Sequence, residues 1–313
     1  MAEPGDRLTV LMTVHNGRPF VRTAIESILQ QTFSSFRFLI VDDASTDGTR
    51  EVIHSYRDPR IELVCLEHNV GQTAALNIGL RQISTPWIAR MDADDFSAPT
   101  RLEEQMRSLE LNPSLDCVGT FAWMFRNDPQ VVERVVEKPI DDAAIKYELL
   151  RSTPMIHGSL LVKREALMHV GGYDERYRYS ADRELYYRLL PRCRAANIPK
   201  RLLGARQHRM QGSVSLRAAI ESVEILSHQL SLPCYSDEEK TVLREGLSFA
   251  YRYRAQCQFS GGQYVSMLHD LFQAFRLSPR TLMSVVGRSI VPARCRSVLQ
   301  SSAGIGRFSS KDV

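Results

Sequence analysis

Trp87-Ile88-Ala89-Arg90-Met91-Asp92-Ala93-Asp94-Asp95 decides how this chain is read. The apolar run Trp87 to Ala89 predicts a buried strand, and Pro99 with Thr100 opens a helical pattern through Leu102, Met106 and Leu109. Three carboxylates, Asp92, Asp94 and Asp95, therefore stand where a strand ends and the chain turns outward. Open α/β sheets bind their ligands at that edge. Packing does not account for adjacent carboxylates, which repel unless a cation or hydrogen-bond donors hold them. A hard divalent cation shared with a substrate's phosphates would do so. A solvated acidic turn with a helix cap is the plain alternative, and the order of the surrounding elements weighs against it.

Upstream, Leu8 to Val14 is rich in β-formers and ends in the turn His15-Asn16-Gly17-Arg18-Pro19, after which Phe20 to Gln31 has helical spacing. Phe36 to Val41 predicts a second strand, closing on Asp42-Asp43-Ala44-Ser45-Thr46-Asp47-Gly48-Thr49, whose polar side chains suit the cap of a helix through Ile53. Ile61 to Leu66 is a third strand, and Asn69-Val70-Gly71-Gln72 leads into a helix over Thr73 to Gln82. Strand alternating with helix four times predicts a parallel sheet covered on both faces. Right-handed crossovers then bring Asp42-Asp43 and Asp92 to Asp95 to one edge of it.

Past Pro113 the alternation breaks. Asp116 to Phe125 is a strand candidate, Arg126 to Pro139 is irregular and Asp141 to Leu150 is helical in pattern. His157 to Lys163 predicts a strand, Arg164 to Val170 a short helix stopped by Gly171-Gly172, and Ser180 opens a helix through Leu190. From Leu216 onward the pattern is mostly helical, with breaks near Pro233 and Gly261-Gly262.

Composition narrows the class. At 313 residues, 43% hydrophobic and 24% charged, the chain suits one large α/β unit with an appendage. A net charge of +4 is too small to argue for nucleic acid. The six cysteines are scattered, without C-x-x-C or metal-ligand spacing, and no run is apolar enough to cross a bilayer. Met1 to Arg7 is polar, so no secretory signal is expected and a reducing cytoplasm is the default.

In this order the motifs resemble family-2 glycosyltransferases of the GT-A fold. The resemblance is carried by Thr13-Val14-His15-Asn16, Ser27 to Thr32, Val41 to Thr49, Asn69-Val70-Gly71, Met91 to Asp95, Gly171-Gly172-Tyr173-Asp174 and Ala181-Asp182. It implies a Rossmann-like, α/β catalytic domain over residues 1–215 that uses a nucleotide-diphosphate sugar; residues 216–313 carry no such resemblance and are expected from their pattern to form a mostly helical C-terminal region. Thr13, His15 and Asp43 would hold the base, Asp92 the ribose or the metal, and Asp94 would ligate Mg²⁺ or Mn²⁺ bridging the two phosphates. The ion's task would be to offset charge on the departing diphosphate, with Asp95 orienting its ligands. For Asp42 and Asp47, capping of the next helix is an equal alternative.

The resemblance places the general base on Asp182, although the acid that usually precedes it is replaced by Ala181. Such a base takes the acceptor hydroxyl's proton during inverting transfer. Glu184 is its rival, and a plain helix-terminal acid is the bland reading. Arg209 would meet the pyrophosphate, since its fork of donors suits phosphate oxygens, while Gln211 stands where the family has His. His157 is expected to be a satisfied polar residue near the cleft.

The expected activity is therefore addition of a single sugar to a saccharide or lipid-linked acceptor in cell-surface polysaccharide or glycolipid synthesis. The basic and apolar residues of Arg276 to Val313 suit peripheral contact with the inner face of a membrane, or packing on the catalytic domain. A sugar-nucleotide pyrophosphorylase would carry a glycine-rich signature where Thr13 to Gly17 stands. An inactive relative that only binds a nucleotide sugar or a partner is the other alternative.

Overall fold

A computed structural model of the chain describes residues 7–208 and 215–279. The chain divides into two compact units, Met1–Ile225 and Leu226–Val313. The first begins with β1 (Leu8–Val14), α1 (Val21–Leu29), β2 (Arg37–Asp42), α2 (Thr49–His54), β3 (Ile61–Cys65), α3 (Gln72–Gln82) and β4 (Trp87–Asp92). These four strands lie parallel in the order β3-β2-β1-β4. Their apolar runs reflect burial on both faces, and every residue of β1 is buried. Helix α1 turns Val21, Ala24, Ile25 and Ile28 inward, and α3 comes so close that a Cβ on Gly79 would stand 2.5 Å from Leu11 Cδ1. Since β1 lies between β2 and β4, its C-terminal end opens onto a crevice where chain direction switches, as ligand sites in such sheets do.

The expectation of a parallel sheet holds for this half only. Next come β5 (Phe96–Ser97), α4 (Arg101–Leu111), β6 (Cys117–Phe125), β7 (Arg134–Val136), α5 (Asp142–Leu149), β8 (Leu161–Lys163), α6 (Arg164–His169), α7 (Ala181–Leu189) and β9 (Ala195–Arg206). Among the described residues the strands form one mixed sheet, β3-β2-β1-β4-β8-β6-β9-β5, with β7 also on β6. Strand β8 is antiparallel to both β4 and β6, whereas β9 runs parallel to β6. Three local expectations need correction. The stretch expected to be irregular contains β7, β9 is a strand the pattern did not show, and His157–Ser159 is a 3-10 turn rather than the start of β8.

Helix α8 (Leu216–Ser231) runs across the division between units, and the second unit holds α9 (Asp237–Ser260) and α10 (Tyr264–Leu277). Ser236 and Glu239 form a reciprocal cap at the start of α9. The Arg254 guanidinium donates two 2.6 Å bonds to Asp270, whose side chain is buried, tying α9 to α10. No helix among the described residues is long and apolar enough to cross a membrane. Most of the basic tail, residues 280–313, lies outside the described residues, as does Arg209.

Candidate active site

Two adjoining clefts open at the C-terminal ends of β1, β2 and β4. The first, about 410 Å³, is lined by Thr13, His15, Asp43, Asn69, Gly71, Asp92, Asp94 and His208 among others. The second, about 330 Å³, is lined by Asp92, Asp94, Asp95, His157, Gly158 and Asp182 among others. Gln72, Asp92, Asp94, Arg178 and Tyr179 line both. Of the residues expected at the site, the structure gathers all except Arg209, which is not described.

In the first cleft, β1 and β2 end side by side, with Val14 opposite Asp42. The buried Thr13 hydroxyl has no hydrogen-bond partner among the described residues. A hydroxyl at a cleft wall can donate to or accept from a ligand's polar group. His15 Nδ1 lies 2.6 Å from the Asp43 carbonyl oxygen and Nε2 lies 3.1 Å from Asn16 Nδ2. A carbonyl only accepts, so Nδ1 donates, which leaves Nε2 facing the Asn16 amide. Asp43 takes hydrogen bonds from the backbone N–H groups of Val70 (2.7 Å) and Gly71 (2.8 Å), which holds the Asn69-Val70-Gly71 loop against the cleft. Gly71 has φ +91°, and a Cβ there would meet the Arg178 guanidinium at 3.0 Å. Arg178 itself donates to Asn69 Oδ1 at 2.9 Å.

The neighbouring acids are structural. Asp42 is fully buried, paired with Arg50, and accepts from the Ser45 N–H. Asp47 caps the start of α2 through the Thr49 N–H and hydroxyl, and accepts from the Arg18 N–H.

At the end of β4 the three acids sit in different surroundings. Burial opposes the charge on Asp92, but the buried Arg90 guanidinium, 2.6 Å away, together with His157 and a bond from Gln72, holds its carboxyl below the usual range. Burial and the Asp92 charge raise the Asp94 pKa, against a 2.7 Å bond from His208 Nε2. Asp95 is raised further by burial and by Asp94 and Asp92, while its Oδ1 accepts from the Arg206 N–H at 2.9 Å. A Cβ on Gly158 would stand 2.9 Å from Asp92 Oδ2 and 3.1 Å from Asp95 Oδ2, so the 3-10 turn closes directly on these acids. Arg101, fully buried, fixes that turn by donating to the Gly158 carbonyl (2.8 Å) and to the Arg90 carbonyl (3.2 Å).

A divalent ion fits this donor set. Two of the three carboxylates carry raised proton affinity, which an added cation would relieve. Among the described residues no group of three or more His, Cys, Asp or Glu is arranged to hold a metal. The remaining ligands would have to come from substrate oxygens and water, as is usual for Mg²⁺ beside phosphates.

Asp182, in the first turn of α7, faces the second cleft, and no hydrogen bond or ion pair among the described residues engages its carboxylate. Its rival Glu184 is bound to Arg188 by two bonds of 2.6 and 2.5 Å. His157 Nε2 lies 2.7 Å from the Tyr173 hydroxyl. Burial, with the Arg90 cation adding to it, pushes His157 down to about 4 and leaves it neutral.

Reading the sequence missed Arg90, Arg101, Arg178 and the role of His208. A charged residue inside the apolar run of β4 was the available signal for Arg90. His208 is carried by the end of β9, whose Arg206 also donates to the Asp94 carbonyl at 2.8 Å, so it was out of reach once that strand was unseen.

Residues 9–171 match the model of the family described as Glycosyl transferase family 2. The O-antigen biosynthesis glycosyltransferase WbnJ of Escherichia coli is 30% identical over 223 residues, covering 69% of this chain and 85% of that one. For two further relatives the matched part spans 60% and 63% of their length. Among solved structures, S. aureus TarS 1-349 in complex with UDP-GlcNAc superposes with a TM-score of 0.66 at 18% identity, over 87% of this chain and 82% of that one. Mannosyltransferase PcManGT from Pyrobaculum calidifontis, in complex with GDP-Man and Mn²⁺, gives 0.60 at 20% identity, over 95% and 80%. The likeness to TarS identifies the mixed α/β sheet as a GT-A fold.

Proposed function

Because the chain belongs to glycosyl transferase family 2, we propose that it is an inverting, metal-dependent glycosyltransferase moving one sugar from a nucleotide-diphosphate donor to an acceptor hydroxyl. The observation that carries this reading is the Asp182 carboxylate, which no hydrogen bond or ion pair among the described residues engages, in the cleft that also holds Asp92, Asp94 and Asp95. A base with its own partner would have to break that contact first, and Glu184 has such a partner in Arg188.

The first cleft takes the nucleotide. Thr13 and His15 flank the base, and Asp43 both receives the base's N–H and keeps the Asn69-Val70-Gly71 loop in place. The diphosphate lies toward Asp92 and Asp94, beside Arg178, whose guanidinium bonds only to Asn69 among the described residues. Asp94 and Asp92 are the residues that would hold Mg²⁺ or Mn²⁺, which when bound offsets the negative charge gathering on the departing diphosphate. Asp182 takes the acceptor's hydroxyl proton as the acceptor oxygen bonds to the anomeric carbon. The bond from that carbon to the diphosphate breaks on the opposite face, and its electron pair leaves with the diphosphate oxygen.

WbnJ is named for O-antigen biosynthesis, which supports a surface saccharide or lipid-linked acceptor. The catalytic domain is assigned to residues 1–215 and a helical region to 216–313. The basic, apolar pattern after Arg276 supports work at the inner face of a membrane. A screen of UDP-, GDP- and dTDP-sugars with Mn²⁺ or Mg²⁺, read by release of nucleoside diphosphate and by thermal shift, tests the proposal. Metal-dependent release is expected. Donor binding without release would favour an inactive binder, and neither would overturn the reading.

A further inference from the structure

The segment that leads into α7 is held from two sides. On one side α3 grips it, with the Thr73 hydroxyl donating to the Tyr177 carbonyl at 2.7 Å and Asn77 bonded to both the N–H and the carbonyl of Tyr173 (2.9 Å each). On the other side stand the first turns of α8. Glu221 accepts three successive backbone N–H bonds, from Arg178 (3.0 Å), Tyr179 (2.8 Å) and Ser180 (2.7 Å). Three N–H groups turned to one side make an anion-binding concavity, and here the anion is a side chain of the same unit. The Ser180 hydroxyl reaches the Ala218 carbonyl and Ser222 Oγ, both at 3.1 Å, and the Tyr177 hydroxyl donates to Glu224 at 3.2 Å. Ser180 is the N-cap of α7 but makes no side-chain cap bond to it. The start of the helix is thus set by α8, two residues ahead of Asp182.

We infer that Glu221, beyond the residues matched by the family model, is a positioning residue for sugar transfer, fixing the segment 178–180 and with it the placement of Asp182. This rests on the reading of Asp182 as the base. A base must meet the acceptor proton at hydrogen-bond distance, and a displacement of about 1 Å costs on the order of 100-fold in rate. Backbone bonds from three consecutive residues to one carboxylate leave that segment little freedom to shift.

The test uses the full chain and compares wild type, Glu221→Ala, Glu221→Gln and Asp182→Asn. Readouts are kcat, donor KM, and amide hydrogen exchange over residues 178–182. Glu221→Ala is expected to lower kcat about 10- to 100-fold, to leave donor KM within about threefold, and to speed exchange of the three amides. Glu221→Gln, which keeps an acceptor oxygen without the charge, should fall between, and it carries the test if the alanine variant does not fold. Normal kcat with faster exchange would show a merely structural contact and overturn the inference, as would unchanged exchange. Turnover lost in Asp182→Asn but kept in both Glu221 variants overturns the inference alone. A wild-type chain that turns over no nucleotide sugar overturns the functional reading, and the inference with it.

Discussion

The Asp94 carboxylate meets the His208 imidazole at 2.7 Å across 114 positions of sequence. Asp94 lines both clefts and His208 the first, and the pair joins the end of β4 to the end of β9. Asp94→Asn keeps the side chain's size and its contact with His208 but removes the charge a divalent ion would need. Transfer is expected to fall by at least about 100-fold and donor binding to lose its metal dependence, while His208→Ala should cost about 10- to 100-fold. Turnover assays with and without EDTA check this. Full activity of wild type in excess chelator removes the metal from the mechanism.

Asp182 and Glu184 lie two residues apart and face different fates. Asp182→Asn removes the proposed base, so kcat should fall by roughly 100- to 10,000-fold with donor affinity little changed. Glu184→Gln removes the charge from a largely buried ion pair with Arg188, so its effect should be a loss of stability of roughly 1–3 kcal/mol with kcat little changed. If Glu184→Gln is the dead enzyme and Asp182→Asn turns over normally, the assignment of the base is reversed.

Gly71→Ala tests the loop that Asp43 holds. Alanine at φ +91° is strained, and its Cβ would press on Arg178 at 3.0 Å. A stability cost of roughly 1–3 kcal/mol is expected. Nucleoside diphosphate should bind about tenfold more weakly by calorimetry. Binding of wild-type strength would mean the loop and Arg178 lie outside the donor site.

His157 predicts an acid sensitivity. Its pKa in the folded chain is depressed from the usual 6.5 to about 4 by burial and the Arg90 cation. Between those values the unfolded chain binds a proton that the folded chain does not. The stability contributed by neutral His157 is therefore complete above about pH 6.5 and is lost as pH falls through 4. The ring reaches the cleft, so the loss is roughly 1–3 kcal/mol rather than the full shift. Denaturant unfolding at pH 7 and pH 4 should show a smaller acid loss in His157→Gln than in wild type. Equal losses would assign the sensitivity to another group.

The parallel half of the sheet was legible because burial on both faces writes an uninterrupted apolar run, as in β1 and β4. Strand β9 was not, because Pro199, Lys200 and Arg201 interrupt it. In the structure the register slips there, from Thr120 opposite Ile198 to Phe121 opposite Arg201, so that Pro199 and Lys200 bulge out of the pairing. A proline without an N–H is tolerated at such a bulge. The turn at His157–Ser159 was mistaken for a strand because its residues suit either form. What decides is Gly158 tucked against Asp92 and Asp95, a contact between segments that no local pattern encodes. The acids themselves were legible, since carboxylates at strand ends have no packing rationale, but Arg90 and His208, which bond to them, and Arg101, which fixes the turn beside them, come from side-chain geometry.

The pairing of β6 with β9 also bears on how the chain can be cut. Residues Cys117 to Phe125 of β6 pair with β9, which begins at Ala195, whereas the family match ends at 171. A fragment expressed to the end of that match would keep the apolar β6 while leaving one of its edges without a neighbour, and an open apolar edge invites pairing with other copies. The matched segment therefore lacks a strand that its own sheet pairs with. Fragments ending before Ala195 should collect in inclusion bodies, and during synthesis the half-finished sheet must wait for β9 to emerge from the ribosome before that edge is closed.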